Sequence, residues 1–361
     1  MSTLALYPKS VFADSQDAFV APTIDRRGVV VEKDAPLTGD YREQYANVSP
    51  TTLKPRSTCP SFFLAGCCEN GHRWAKKLVC GKEWCPICGA KESDAHNRRI
   101  ARILPKGQQI RSMGYFVIEF PLRYRKIRGY AYSKRGLSIA SRRILDVMAG
   151  RRGAHGARDG HYKRGILRWH WFGDPVDGVA TWNPHANVLV DGGYLSASEL
   201  QKIKGELRAA LRCPDLIVNY SYHTAPGQKF HKLSYVTRAT FLQESWDGYM
   251  AAELFNFRNI RSWGKWDGPA VWQVEENPKM DDLVALESGC CPDCGKPIHW
   301  NSKAWPIAFL EMEDVIQEVI GGYYRLKPFP CDQASPGDSP PMMVTAYAKQ
   351  HSQQEPHLHT L

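Results

Sequence analysis

No stretch of the 361-residue chain approaches the ~18 consecutive apolar residues that a membrane-spanning helix needs. The start, Met1-Ser-Thr-Leu-Ala-Leu-Tyr-Pro8, lacks the charged opening and long apolar run of a signal peptide, so a cytoplasmic protein with no membrane partner is expected. The chain also lacks a Gly-x-x-x-x-Gly-Lys-Ser/Thr phosphate loop, which excludes a helicase motor of that kind. Acidic residues are the minority, 37 against 47 Lys and Arg, and the net charge of +10 with a pI near 9.0 suits a polyanion such as nucleic acid. Sustained periodicity is missing from residues 1 to about 55, which predicts a loosely ordered arm. From 328 to 361 the Pro, Ser, Gln and His content predicts a disordered tail. What remains is 43% hydrophobic overall and long enough for about two domains of roughly 150 residues.

The 11 cysteines lie mostly in two clusters, which in a cytosolic chain reads as metal sites rather than disulfides. The first holds Cys67, Cys68, His72, Cys80, Cys85 and Cys88. Cys85-Pro-Ile-Cys88-Gly89 has the form of a zinc knuckle, two thiolates converging on one ion over a tight turn. Cys80, Cys68 and His72 are the candidates to complete its tetrahedron. Structural Zn²⁺ is therefore expected in a segment spanning 56–105, which ends in a helix from Lys91 to Ile103 with Arg98, Arg99 and Arg102 on its surface. The second cluster, Cys290-Cys291-Pro-Asp-Cys294-Gly with His299, lies in a segment spanning 271–327. It forms a small zinc site of its own or half of one, ahead of a helix expected over 306–320.

Between these clusters, 106–270 reads as an α+β core. Met113 to Leu122 is a largely apolar strand whose Glu119 faces a site or caps the sheet edge. Gly165 to Phe172 is a second strand, joined by a Gly/Asp/Pro turn to a third that runs from Pro184. In that third strand a period of two sends His185, Asn187 and Leu189 to one side. An imidazole nitrogen and an amide oxygen side by side suit Mn²⁺ or Mg²⁺, and adjacent pairing lets His170 project beside them. Ser196-Ala-Ser-Glu199 is a capping box opening a helix with the stripe Leu200, Ile203, Leu207 and Leu211, and Leu216 to Tyr222 is a further strand.

His231 opens what reads as a long helix toward Asn256, with Leu233, Val236 and Thr240 on one face and His231, Tyr235 and Arg238 on the other. A phenol is only about 0.1% ionised at neutral pH, so attack by Tyr235 on a phosphodiester needs a nearby base, a metal or both, while Arg238 can grip the phosphate. Tyr220 and Tyr222 are alternative nucleophiles. A dense basic region holds Arg123, Arg125, Lys126, Arg142, Arg143, Arg151, Arg152, Lys163, Arg164 and Arg168. Tyr124, Tyr130, Tyr132 and Tyr162 are interleaved with them, a mixture suited to single-stranded DNA. Phe257 to Trp266, with two Arg and two Trp, grips a strand or closes the core.

Pro184-His185-Ala186-Asn187-Val188-Leu189 resembles the Pro-His-U-His-Val-Leu strand of the HUH endonuclease superfamily, above all its plasmid and phage rolling-circle initiators and their transposase relatives. Asn187 stands at the second histidine position. The order Cys-x-x-x-x-Cys-Pro-x-Cys followed by an Arg-rich helix is similar to the region upstream of the core in one class of plasmid initiators, and Tyr235-x-x-Arg238 resembles the family's Tyr-x-x-Lys helix. Over roughly Cys67 to Trp266 the resemblance implies a ferredoxin-like core, a central antiparallel sheet with helices on one face. It further implies Mn²⁺ or Mg²⁺ held by His185, Asn187 and His170, and nicking of single-stranded origin DNA by Tyr235 through a 5′-phosphotyrosine. His231 stands where some relatives carry a water-activating carboxylate. Host helicase and polymerase in a bacterial or archaeal cell are the implied partners. A zinc-stabilised nucleic-acid-binding protein without catalysis is the alternative of a different class.

Overall fold

In the computed structural model, the described residues are 23–24, 30–31, 62–79, 85, 87–90, 92–151, 158–173, 181–239, 248–254, 257–274, 278–302, 304–312 and 315–327. The expected arm and tail lie largely or wholly outside them, as do Cys80 and Arg152. Among the described residues no helix is long and apolar enough to cross a membrane. The chain divides into two compact units: one is built mainly from 81–277, the other from 59–80 together with 278–361 and an N-terminal piece. The 56–105 segment read as one zinc-binding element is thus split near residue 80. Its first part folds with the C-terminal portion of the chain.

The first unit has mixed α and β structure around a five-stranded antiparallel sheet. Its main elements are α1 (Asp94–Gly107), β1 (Met113–Glu119), α2 (Lys134–Met148), β2 (Gly165–Phe172), β3 (Trp182–Asp191), α3 (Ala197–Leu211), β4 (Ile217–His223), α4 (Pro226–Thr237) and β5 (Ile260–Trp263). In space the strands run β4-β1-β3-β2-β5. Polar caps start two of the helices: Ser133 Oγ accepts from Gly136 N at 3.0 Å, a cap not read from sequence, and Ser196 with Glu199 closes the expected capping box.

Register decides which side chains share a face. One face carries Phe116, Ile118, Leu167, Trp169, Trp171, Ala186, Val188 and Val190, buried with Leu137, Ala140, Ile144 and Val147 of α2 and Ile203, Leu207 and Leu211 of α3. Each fully buried aliphatic or aromatic side chain there contributes about 1.5–3 kcal/mol, so this layer holds the unit together. The opposite face carries Tyr115, Val117 and Glu119 of β1, His185, Asn187 and Leu189 of β3, and Arg168 and His170 of β2, beneath α1 and α4. Polar side chains therefore collect on one side of a sheet whose other side is apolar.

Pro184 sits inside β3 rather than at its start. Phe172 pairs with Trp182 and His170 with His185, so Asn183 and Pro184 together oppose Trp171 alone. A proline without an N–H is tolerated in a central strand at such a bulge, and the bulge lies directly beside His185.

The second unit contains a six-stranded antiparallel sheet in which Phe62–Cys68 pairs with Arg73–Lys77 on one side and with Ile298–Trp300 and Trp305–Pro306 on the other. Tyr323–Leu326 and Val315–Val319 extend it. The stretch read as a helix over 306–320 is instead a 3₁₀ turn, Ile307–Met312, followed by the strand Val315–Val319. Its β-branched Val-Ile-Gln-Glu-Val sequence prefers the pleat.

Candidate active site and metal centre

In the second unit, a tight turn joins the two strands of the first hairpin. Gly71 N donates to Cys68 O at 2.9 Å, and Gly71 takes a φ of 77°, a conformation open to glycine at little cost. The turn folds His72 back over Cys68, with Sγ and Nδ1 3.5 Å apart. A second turn, with Gly295 N on Cys291 O and Cys291 N on Lys296 O, does the same for Cys291 and Cys294. Pairing of Ile298 with Cys68 brings the two turns to one end of the sheet. Cys68 Sγ lies 3.6 Å from Cys294 Sγ, Cys291 Sγ 3.4 Å from His72 Nδ1, and all four ligand atoms fall within 4.8 Å of one another.

A tetrahedral zinc with bonds of ~2.3 Å to sulfur and ~2.0 Å to nitrogen spaces its ligands about 3.5–3.8 Å apart, so this Cys₃His set fits the ion. Trp74 Nε1 donates to Cys291 Sγ at 3.4 Å, an outer contact that orients the ligand. Hydrogen bonding from the Lys296 backbone draws the Cys294 thiol down in pKa, whereas burial pushes Cys291 up. The ligands read from sequence as belonging to two separate knuckles thus form one site, each knuckle supplying a pair. Cys290 and His299 are not members of it. Cys85 and Cys88 fall in the first unit, where Cys88 N approaches Cys85 Sγ at 3.5 Å in a knuckle-like turn.

In the first unit, α4 ends at Thr237, well short of the long helix expected toward Asn256. Its last carbonyls would be orphaned, and side chains from α1 and β2 take them. His96 Nε2 bonds Ser234 O at 3.0 Å, His170 Nε2 bonds Val236 O at 3.1 Å, Arg99 Nε donates to Thr237 O at 2.9 Å, and Arg168 Nη2 to Arg238 O at 3.1 Å. Cationic and imidazole donors suit a helix C-terminus. These contacts draw Arg99 and Arg168 in from the surface on which the sequence places them. Arg98 and Arg168 are buried, and Arg99 is half-buried under α4.

This anchoring sets Tyr235 above the polar sheet face. Its ring centroid lies 5.3 Å from that of His170, whose own ring is 5.4 Å from that of His185. Arg238 stacks its guanidinium 4.1 Å from the Tyr235 ring and donates to the phenol oxygen at 3.2 Å. Tyr220 and Tyr222 have the parity of Phe116 and Gly114 and so belong to the other face of the sheet. Tyr220 donates to Gly193 O, and burial holds its phenol up at about 12. His231 lies on the exposed side of α4.

The two histidines are each fixed as one tautomer by a backbone carbonyl. His185 Nδ1 bonds Asn183 O at 2.8 Å, so a neutral ring carries its lone pair on Nε2. His170 Nε2 is committed to Val236 O, and its buried Nδ1 has no partner. Burial lowers the His170 pKa well below the usual value, and His185, Arg168 and Arg238 push the same way, which keeps that lone pair unprotonated. A carbonyl-anchored ring with its other nitrogen turned inward is the arrangement of metal-ligating histidines. Asn187 is fully buried. Its Oδ1 accepts a hydrogen bond from Tyr115 OH and its Nδ2 has no partner.

Glu119, opposite His185 in the ladder, is held by Arg125 at 2.5 Å and by Asn183 Nδ2 at 2.9 Å. Tyr115 and Lys232, whose ammonium lies 4.8 Å from the Tyr115 ring, belong to the site and carry no sequence motif. Tyr115 stands in an apolar strand, where only alternation with Val117 and Glu119 assigns it to the polar face.

The rest of the basic set is divided. Arg164 is bound to Asp191 and to Gln109 O, and Arg125 to Glu119 and Phe120 O. Arg123 pairs with Asp215 at 2.7 Å. Lys126 and Lys163 are exposed, while Arg142 and Arg143 lie on α2, behind the sheet face opposite Tyr235. The Arg151 side chain and Arg152 fall outside the described residues. Of the interleaved tyrosines, Tyr162 is buried, Tyr124 packs on Tyr130 and Tyr132 stacks on Tyr249.

Comparison with known proteins gives no match to a family model, a curated protein or a solved structure.

Proposed function

We propose that the first unit is a metal-dependent single-strand DNA endonuclease and strand transferase of the HUH type, acting at a replication origin of a plasmid or phage. The observation that carries this reading is the meeting of Tyr235 with His170 and His185 on one sheet face, at a helix end held by four side chains. The chain order β1-α2-β2-β3-α3-β4 with the spatial order β4-β1-β3-β2 is also that of a ferredoxin-like core. His170 Nδ1 and His185 Nε2 would hold Mn²⁺ or Mg²⁺, which when bound supplies Lewis-acid polarisation of a phosphate oxygen. Arg238 keeps Tyr235 in place and offers its guanidinium to the same phosphate. Tyr235 Oη forms the new bond to phosphorus as the bond to the 3′ oxygen breaks. The phenol proton passes to water, and the departing oxygen takes a proton from water to become the 3′-hydroxyl used by host polymerase. Host helicase would separate the strands.

A transposase would use the same steps. A non-catalytic nucleic-acid-binding role is favoured by one observation, that Asn187 Oδ1 is taken by Tyr115 and two imidazoles remain as donors. Incubation with Mn²⁺ and single-stranded DNA covering candidate origins separates the readings. The enzyme gives a denaturation-resistant adduct mapping to Tyr235, lost in Tyr235→Phe while salt-sensitive DNA binding persists. Binding by the wild type with no adduct on any strand establishes the non-catalytic role.

A further inference from the structure

Asn187 occupies the position at which a metal ligand is expected, yet its oxygen is turned away from that task. Tyr115 OH donates to Oδ1, and burial raises the Tyr115 pKa so that the phenol keeps its proton. What Asn187 leaves without a partner is Nδ2, a donor with two hydrogens, on a residue with 0% exposure. An orphaned buried donor is destabilising and calls for an acceptor, and an N–H pointing at a cation repels it. Cationic heads on this layer include Lys232, 4.8 Å from the Tyr115 ring, Arg238, 4.1 Å from the Tyr235 ring, and Arg168, bonded to Arg238 O. The group that meets both demands is an anionic oxygen.

Resting on the endonuclease reading above, we infer that Asn187 is a phosphate-binding residue and not a metal ligand, its Nδ2 donating to a non-bridging oxygen of the scissile phosphate. Tyr115 is then a positioning residue that locks the amide with nitrogen inward. Cation and anion are served by different atoms of one sheet face: imidazole lone pairs of His170 and His185 for the metal, the Asn187 amide and the Arg238 guanidinium for the phosphate. The histidine that the resembling strand carries at this position offers a lone pair, whereas the asparagine exchanges it for a donor.

Two titrations of the full-length protein decide the matter, with inorganic phosphate followed by ³¹P NMR and with Mn²⁺ followed by electron paramagnetic resonance. Asn187→Ala is expected to weaken phosphate at least tenfold and to change the Mn²⁺ Kd less than twofold. Tyr115→Phe keeps the ring and releases the amide, so phosphate should weaken severalfold with Mn²⁺ unchanged. This second variant carries the comparison if thermal melting shows that Asn187→Ala does not fold. The reversed amide, with Nδ2 on the Tyr115 oxygen and Oδ1 inward, predicts a tenfold loss of Mn²⁺ binding in Asn187→Ala and no change in phosphate, and that result overturns the inference. A wild type that fails to bind phosphate overturns it as well. Failure of the endonuclease reading shows separately, as absence of a Tyr235 adduct on DNA.

Discussion

His170 donates Nε2–H to the carbonyl of Val236 at 3.1 Å, which ties the middle of a buried strand to the end of the helix that presents Tyr235. Replacing His170 by Gln retains an N–H donor and removes the aromatic lone pair on Nδ1. Mn²⁺ affinity should fall at least tenfold with the melting curve nearly unchanged, whereas His170→Leu should lose both metal and stability. Manganese resonance titration with parallel calorimetry checks this, and an unchanged Kd in a folded His170→Gln variant removes His170 from the ligand set.

Gly107 lets α1 approach α4. A Cβ built there would meet Leu233 Cδ1 at 2.3 Å, so Gly107→Ala displaces the buried Leu233 side chain or parts the two helices. Overpacking of this kind costs about 1–3 kcal/mol, and Leu233→Ala in the same chain should recover part of the loss. A double-mutant cycle in urea measures the coupling, and strictly additive losses would show that the contact does not limit the packing.

His96 supplies a pH dependence. Burial lowers its pKa below the usual 6.5, Arg99 and Arg168 act in the same direction, and only the bonds to Ser234 O and the influence of Glu92 oppose them. Glu92 N donates to Nδ1 and Nε2 donates to Ser234 O, so the folded ring has no place for a second proton. The unfolded chain therefore binds more protons around pH 6, and stability that is complete above ~6.5 is lost as pH falls toward the folded value. The melting temperature should drop between pH 7.5 and 5.5, and His96→Gln should flatten that slope. An identical slope in the variant would assign the dependence to other groups.

Chelation should act on one unit only. Removing zinc, or substituting Cys68→Ser, should unfold the sheet built on Phe62–Cys68 and lower the metal content by one ion per chain, because in small metal sites binding energy is folding energy. Backbone amide signals of β1 to β4 should persist. Cys85→Ser with Cys88→Ser should leave the Cys68 site loaded, and native mass spectrometry gives the ion count. Loss of that ion in the double variant would join the two sets of thiols.

Local pattern made much of this legible. Apolar runs over 113–122 and 165–172 and the alternation from Pro184 mark the strands, and parity places His185 and Asn187 on one face, with His170 beside them once neighbouring strands pair. The Ser196 capping box and the Ile203, Leu207, Leu211 stripe mark α3 in the same way. What sequence could not supply is pairing between distant segments. Cys68 and His72 look complete beside Cys85 and Cys88 because proximity in the chain is the only cue, and the strand pairing that brings Cys291 and Cys294 to them leaves no local trace. Arg164 and Arg168 count as surface charge until Asp191 and the end of α4 claim them. Tyr115 is silent among apolar neighbours for the same reason.

The zinc-type site also sets a timetable during synthesis. His72 and Cys291 stand 219 positions apart. At about 5–20 residues per second, roughly 10–40 s pass on the ribosome between the first pair of ligands and the second. Through that interval the early hairpin has two of four donors and no sheet neighbour from the C-terminal segments, while β1 to β5 emerge one after another behind it. The nascent chain is thus a folding core preceded by an unclosed clasp, exposed to whatever thiol chemistry or metal the cell offers until Cys291 and Cys294 arrive.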